Sequence, residues 1–289
     1  MIACNSITIL LTLGWMEEIV EQWLALHHGH TRKSYENTMN QFRSAVKLPL
    51  PQIRSQHVRN WLESLEGADT TKQKHLAILK AFFNYALSLE ACPIHGSPIP
   101  KQFKVAVPKE TLVERILSPA EVAALIENET AARNQLILKT LYQTGVRVRE
   151  LCALAWKDVT PRPELDTLQI TVYGKRGKTR HITLKPSLAQ ELSEFKGQAK
   201  PNAPIFASAS DKALAPSHIH RIVKRAALKA ELPQAAKVSP HWLRHAHATH
   251  ALDNGAPLRL VQATLGHASL DTTSKYLHIR PQQSSGDYL

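Results

Sequence analysis

Cysteine is scarce: Cys4, Cys92 and Cys152 are the only three in 289 residues. They form no paired-cysteine framework, which points to a reducing compartment, the cytoplasm. No stretch approaches the roughly eighteen apolar residues of a membrane span, so no membrane partner is expected. There is no P-loop, no internal repeat and no low-complexity tract. Acidic residues are also few, 24 against 36 Lys and Arg, and they gather in no cluster that would seat Mg²⁺. A two-metal phosphoryl mechanism is therefore disfavoured.

What is present is a long, well-mixed chain with a strong positive charge. At 43% hydrophobic content the chain can bury a sizeable core, and its length suggests about two domains. The net charge of +12 favours a polyanion such as DNA or RNA, although many basic proteins bind no specific anion. Residues 1–105 carry +3 and residues 106–289 carry +9, so both parts can grip such a partner. Residues 7–13 are apolar, but no basic segment precedes them and no small-residue cleavage site follows. Met16 opens an amphipathic stretch and would serve as an alternative start, so residues 1–14 carry no fold expectation.

Residues 93–110 contain four prolines and a glycine and read as an interdomain linker. Residues 15–92 read as a bundle of four helices, over 17–28, 31–46 with Thr31 as N-cap, 55–65 and 71–89, from apolar residues at helical spacing. Exposed Arg32, Lys33, Lys72, Lys74 and Lys80 could face phosphates there, or form a solvated basic surface. Residues 111–289 read as a mixed, mainly helical domain. Ser118, Pro119 and Glu121 form a capping box with proline at the first helical position. Helices are expected over 132–143, 187–195, 216–230, 241–254 and 257–265. Two strands, 168–172 and 181–184, flank a glycine-rich basic turn containing Lys175, Arg176 and Lys178, a hairpin tip that could approach DNA closely.

Five blocks in the second part stand out together: TGVRVREL at 144–151, GKRGK at 174–178, SPHWLRH at 239–245, LGH at 265–267 and TTSKY at 272–276. Two arginines and a lysine suit a phosphate whose charge must be neutralised. Histidines donate hydrogen bonds or move protons near neutral pH, and a tyrosine can attack covalently. The chemistry suggested is attack by tyrosine on a phosphodiester without a metal. Each block has a plainer reading: Arg147 as a carbonyl cap or a surface partner of Glu150, Lys175 as part of a generic basic turn, Tyr276 as a half-buried core residue. The histidines of 241–250, with His218 and His220, invite a metal reading. Short histidine spacings without an HExxH pattern support it weakly, and His245, His247 and His250 read as packing or DNA-facing residues.

In this order the blocks resemble those of the tyrosine recombinase (phage integrase) family, most closely its Xer-like members, over residues 117–278. Tyr276 stands nine positions after His267, as in that family's histidine-then-tyrosine box. The resemblance implies a mainly α fold: a SAM-like helical core-binding domain that clamps DNA, and an α-rich catalytic domain with a small antiparallel sheet. It implies that Tyr276 is the nucleophile of a 3′-phosphotyrosyl intermediate. Arg147 and Arg244 would clamp the scissile phosphate, Lys175 would protonate the 5′ leaving oxygen, and His241 would assist proton handling as base for the tyrosine. His267 would hydrogen-bond the phosphate, with Glu150 supporting the site from behind. No metal, cofactor or nucleotide is implied. The implied partners are a double-stranded DNA recombination site, a homo- or hetero-tetramer in synapsis, and a partner recombinase or accessory factor. The implied location is the cytoplasm, on the nucleoid. Type IB topoisomerase-like relaxation, a non-catalytic DNA-binding relative and a histidine-rich metalloprotein are the alternatives. Pro281 and the polar run after it argue against a long terminal helix beyond Tyr276.

Overall fold

The computed structural model describes residues 16–90, 92, 94–106, 115–174, 177–267, 269, 273, 274 and 276. Expectations for residues 1–14, Lys175, Arg176 and residues 277–289 lie outside these. The chain divides into two compact units, Met1–Lys109 and Glu110–Leu289.

The first unit is helical: α1 (16–25), α2 (Gly29–Ala45), α3 (Ser55–Ser64) and α4 (Asp69–Leu87). Helix α2 opens before Thr31 because His28 already takes the extended N-cap conformation. Asp69 sits in the first turn of α4, where its charge complements the helix dipole. The apolar stripes meet in a core of Trp23, Met39, Phe42, Trp61, Leu79, Phe82 and Phe83. Tyr35 stacks on Trp23 with ring centroids 4.7 Å apart. The proline-rich segment packs onto this bundle. Ile99 is buried in its core, with Ile94, Phe103 and Val105 against it. Lys80 is engaged here, its ammonium donating to the Phe103 carbonyl oxygen at 2.6 Å. Prolines deny this segment helical hydrogen bonds, and apolar side chains anchor it instead.

The second unit contains α5 (Pro119–Glu127), α6 (Ala132–Thr144), α7 (Val148–Ala153), β1 (Val159–Arg162), β2 (Thr167–Tyr173) and β3 (Thr179–Thr183). It continues with α8 (Pro186–Lys196), α9 (Pro216–Lys229), α10 (Pro240–Asp253) and α11 (Leu258–Leu265). The capping box opening α5 forms: the Glu121 amide donates to Ser118 Oγ at 3.2 Å, and the Ser118 amide donates to Glu121 Oε2 at 2.7 Å. Helix α6 is buried at Leu136, Ile137, Leu138 and Leu141 and packs against α5, α8, α9 and α10.

The three strands form one antiparallel sheet in the order β1-β2-β3. Ile170 and Val172 of β2 and Ile182 of β3 are buried. Val172 pairs with Arg180, and paired residues point to the same face, so Arg180 turns inward while His181 turns out. Strand β1 is not expected from sequence: it has four residues and contains Pro161, which an edge strand tolerates because its missing amide faces away from the ladder. Helix α7 is likewise unexpected. It starts four residues after α6 ends, across the left-handed Gly145 (φ 60°).

Candidate active site

Three backbone features of the second unit bring the predicted residues together. The first is the turn between α6 and α7. A Cβ on Gly145 would lie 2.7 Å from His247 Cδ2 and 2.8 Å from Leu265 Cδ2, so only glycine fits the contact between this turn, α10 and α11. Arg147 follows as the extended N-cap residue of α7. Its amide donates to Glu150 Oε2 at 2.8 Å and its guanidinium to Glu150 Oε1 at 2.9 Å. Its side chain keeps 42% of its exposure, so the cation is fixed at the base and open at the tip.

The second feature is α10. Arg244 is 5% exposed and donates to the carbonyl oxygens of Gly145 and, at 2.7 Å, Leu265. It therefore fastens the α6–α7 turn to the end of α11. Burial first, then the neighbouring Arg147, lowers its pKa to about 10, which leaves it cationic at neutral pH. The third feature is the end of α11, where left-handed Gly266 (φ 65°) turns the chain into His267. Arg147 Nη2 donates to the Gly266 carbonyl oxygen at 3.4 Å, and His267 Nδ1 lies 2.9 Å from Thr273 Oγ1.

Tyr276 is 5% exposed and packs with Ala248, Val261 and Leu265. Its hydroxyl oxygen lies 2.7 Å from His245 Nδ1. Burial raises the phenol pKa and Arg244 opposes that rise only in part, so the hydroxyl stays protonated at neutral pH. His245, expected to pack or face DNA, is thus a site residue. His241, expected beside the tyrosine, sits one turn earlier with its ring 6.5 Å from that of His245. Burial depresses the His241 pKa, followed by Arg244, His220 and Arg147. His245 and His267 are each held at about 4, chiefly by burial and then by neighbouring histidine or arginine charge. All three imidazoles are therefore neutral at pH 7. His247 and His250 face elsewhere, toward the Tyr142 carbonyl oxygen and hydroxyl.

Behind the site lies a residue that sequence reasoning missed. Arg180 of β3 donates to both oxygens of Glu150, at 3.0 and 2.7 Å, and through Nε to the Thr264 carbonyl oxygen at 2.7 Å. It ties the strand leaving the basic turn to α7 and to the end of α11. Its only signal in the sequence was register, since it alternates with buried Ile182. Burial pushes the Glu150 carboxyl up, but the Arg180 and Arg147 hydrogen bonds outweigh this and hold it at about 2. A carboxylate with its pKa lowered on folding stabilises the fold above its unfolded pKa near 4.3 and loses that contribution as pH falls toward 2. The contribution is about 3 kcal/mol by linkage. We predict that Glu150→Gln lowers stability at pH 7 and removes part of the acid-induced loss between about pH 5 and 2. Denaturant midpoints across that range check this; parallel curves for both proteins would contradict it.

Lys178 is exposed beside the turn, and Lys175 and Arg176 lie outside the described residues. Arg32 and Lys33 on α2 and Lys74 on α4 are exposed, and Lys72 on α4 is half-buried. Among the described residues no group of three or more His, Cys, Asp or Glu is placed to hold a metal ion.

The arrangement offers two arginines, neutral imidazoles and a tyrosine hydroxyl around the ends of α7, α10 and α11. The phage integrase family profile matches residues 111–283. The tyrosine recombinase XerC of Mycobacterium leprae is 32% identical over 279 residues, 90% of this chain and 92% of that protein. XerC of Thermodesulfovibrio yellowstonii is 29% identical over 266 residues, 87% and 86% of the two chains. Among solved structures, the XerH recombinase bound to a palindromic difH substrate superposes with a TM-score of 0.74 at 26% identity, covering 87% of this chain and 77% of that one. A lambda integrase dimer on a COC′ core site shares the fold, with a TM-score of 0.77 at 19% identity over 94% and 97%. The chain belongs to the phage integrase family and is a tyrosine recombinase of the Xer-like type.

Proposed function

We propose that this protein cuts and rejoins duplex DNA at a specific site, with Tyr276 as nucleophile and a 3′-phosphotyrosyl link as intermediate. One observation supports this above the rest: a buried tyrosine hydroxyl, held by a neutral imidazole, stands in the field of a buried arginine. Free tyrosine is phenolate to only about one part in a thousand at pH 7, and burial makes Tyr276 less acidic still, so attack needs a base at its hydroxyl and cations at the phosphate. Arg147 and Arg244 neutralise the scissile phosphate, Arg147 from its open tip and Arg244 from within. His241 and His267, both neutral and near the arginines, donate hydrogen bonds to phosphate oxygens or handle its protons. Glu150 and Arg180 position Arg147. The phosphotyrosyl ester preserves the energy of the broken bond, so resealing needs no nucleotide.

The first unit grips the duplex through Arg32, Lys33, Lys72 and Lys74 on α2 and α4, while Lys178 and Arg176 approach it from the hairpin. Two protomers bind a pair of half-sites, and two such pairs form a synaptic tetramer of one or two kinds of recombinase. This reading draws on relatives solved on their DNA sites and as tetramers. We place this work in the cytoplasm, on the nucleoid.

In this reading Lys175 protonates the 5′ oxygen as it leaves. Lys175→Ala should slow strand cleavage by about 100-fold or more. A substrate with sulfur in place of that bridging oxygen needs no proton on its leaving group and should restore most of the rate. Single-turnover cleavage of the two substrates decides it, and equal slowing on both would remove Lys175 from the acid role.

A further inference from the structure

Two histidines one helical turn apart compete for the tyrosine proton, and the geometry separates them. His245 Nδ1 is 2.7 Å from Tyr276 Oη, and the two rings lie tilted at 5.7 Å between centroids. His241 lies one turn earlier with its ring 6.5 Å from that of His245, and among the described residues His245 is the histidine that contacts the hydroxyl. We infer that His245, rather than His241, is the general base that accepts the Tyr276 proton as the hydroxyl attacks. The inference rests on the reading of Tyr276 as nucleophile.

Tyr276 Oη bonds to phosphorus while its proton passes to His245 Nδ1. The bond from phosphorus to the 5′ oxygen breaks, and that oxygen takes its proton from the general acid assigned above. On rejoining, the 5′ hydroxyl attacks and gives its proton back to that acid, while His245 returns its proton to the departing phenolate. His245 must begin neutral with its proton on Nε2, so that Nδ1 presents a lone pair. Burial first, and then the neighbouring cations Arg244 and Arg115, keep the ring neutral. A bound phosphate offsets part of the arginine charge, which raises the basicity of His245 when the substrate is in place.

His241 is then left for the phosphate itself. It shares Arg147 and Arg244 as charged neighbours, the two residues assigned to the non-bridging oxygens. The helix thus supplies one imidazole to the nucleophile and, four residues earlier, one to the electrophile. A base contributes about 10²- to 10⁴-fold when it acts in the transition state.

The test uses the full chain and a nicked suicide duplex carrying a site that the wild-type protein selects from a random-sequence library. Tyr276 is replaced in parallel by 3,5-difluorotyrosine, whose ring fluorines lower the phenol pKa. His245→Gln keeps a hydrogen-bond acceptor for the hydroxyl but takes no proton. It should lose about 100-fold or more in adduct formation with duplex binding retained. Difluorotyrosine should recover at least about tenfold of that loss beyond its effect on wild type, because the nucleophile no longer needs the base. His241→Gln should show no such selective rescue. If His245→Gln melts out, His245→Asn takes its place in the same comparison. A His245 variant that forms adduct within about fivefold of wild type, or rescue seen in His241→Gln instead, overturns the assignment. Tyr276→Phe on the same duplex isolates the underlying reading: adduct from that variant sinks the nucleophile assignment, whereas its loss with an active His245→Gln sinks only the base.

Discussion

Tyr276→Phe will abolish covalent protein–DNA adducts while leaving duplex binding close to that of wild type. The change removes a single oxygen. The ring keeps its packing against Ala248, Val261 and Leu265, so the fold around it has no new void to collapse into. What is lost is the 2.7 Å contact with His245, which leaves an imidazole nitrogen without its partner and costs about 1 kcal/mol of stability. In the proposed function, binding rests on cations that neutralise phosphates and on counterion release, and the phenol adds nothing to that balance. Activity rests on the oxygen alone, because no covalent bond to phosphorus forms without it. The pairing of intact binding with zero adduct, read by gel shift and denaturing gel on one nicked duplex, separates nucleophile from scaffold. Adduct formed by the variant at more than a trace would move the nucleophile to another residue, Tyr142, Tyr173 and Tyr288 being the rival tyrosines of the second part.

Arg244→Ala carries the second large effect, and it falls on rate and stability together. The guanidinium is buried and bridges two backbone carbonyls, those of Gly145 and Leu265, which belong to turns far apart in sequence. Deleting it leaves both carbonyls without that partner and opens a cavity in the helix interface, a loss of about 2–4 kcal/mol. Independently, the phosphoryl transition state loses one of its two guanidiniums. By comparison with removal of a single oxyanion donor, that costs about 3 kcal/mol or more, at least about 100-fold in cleavage. Arg244→Lys separates the two. A lysine keeps the charge but presents a point donor in place of a planar fork, so it cannot hold both carbonyls and a phosphate oxygen at once. It should recover part of the stability and little of the rate. Denaturant unfolding with single-turnover cleavage measures both, and a lysine variant cleaving within tenfold of wild type would remove the bidentate requirement.

Much of this site was legible in the chain before any coordinates. The blocks carrying Arg147, Arg244, His267 and Tyr276 stand out by their order, and the structure gathers those residues around α7, α10 and α11. Long elements were equally plain: α4 and α9 declare themselves by apolar spacing, and α5 by Ser118, Pro119 and Glu121. Short elements were hidden. Helix α7 has six residues behind a glycine turn, and β1 contains a proline, so neither offers a periodic signal long enough to read.

Long-range pairing was hidden as well. Nothing local distinguishes Arg180 from Lys175, Arg176 and Lys178 in the same basic stretch. Only the register with buried Val172 turns it inward to Glu150. His245 looked like one more histidine in a crowded helix. The role proposed for it depends on Tyr276 lying against α10, a contact across 31 residues that spacing along one helix does not encode. The proline-rich segment shows the same limit: its composition signals the absence of a helix, but not that Ile99 and Phe103 find a core to join.

The most direct measurement of the central claim is the adduct itself. The wild-type chain is incubated in EDTA with a nicked duplex bearing its selected site, digested with protease, and the DNA-linked peptide is sequenced by mass spectrometry. The expected result is a metal-independent adduct on the peptide containing Tyr276, joined through a 3′ phosphate. Cleavage that stops in EDTA, or a link mapped to any other side chain, would contradict it.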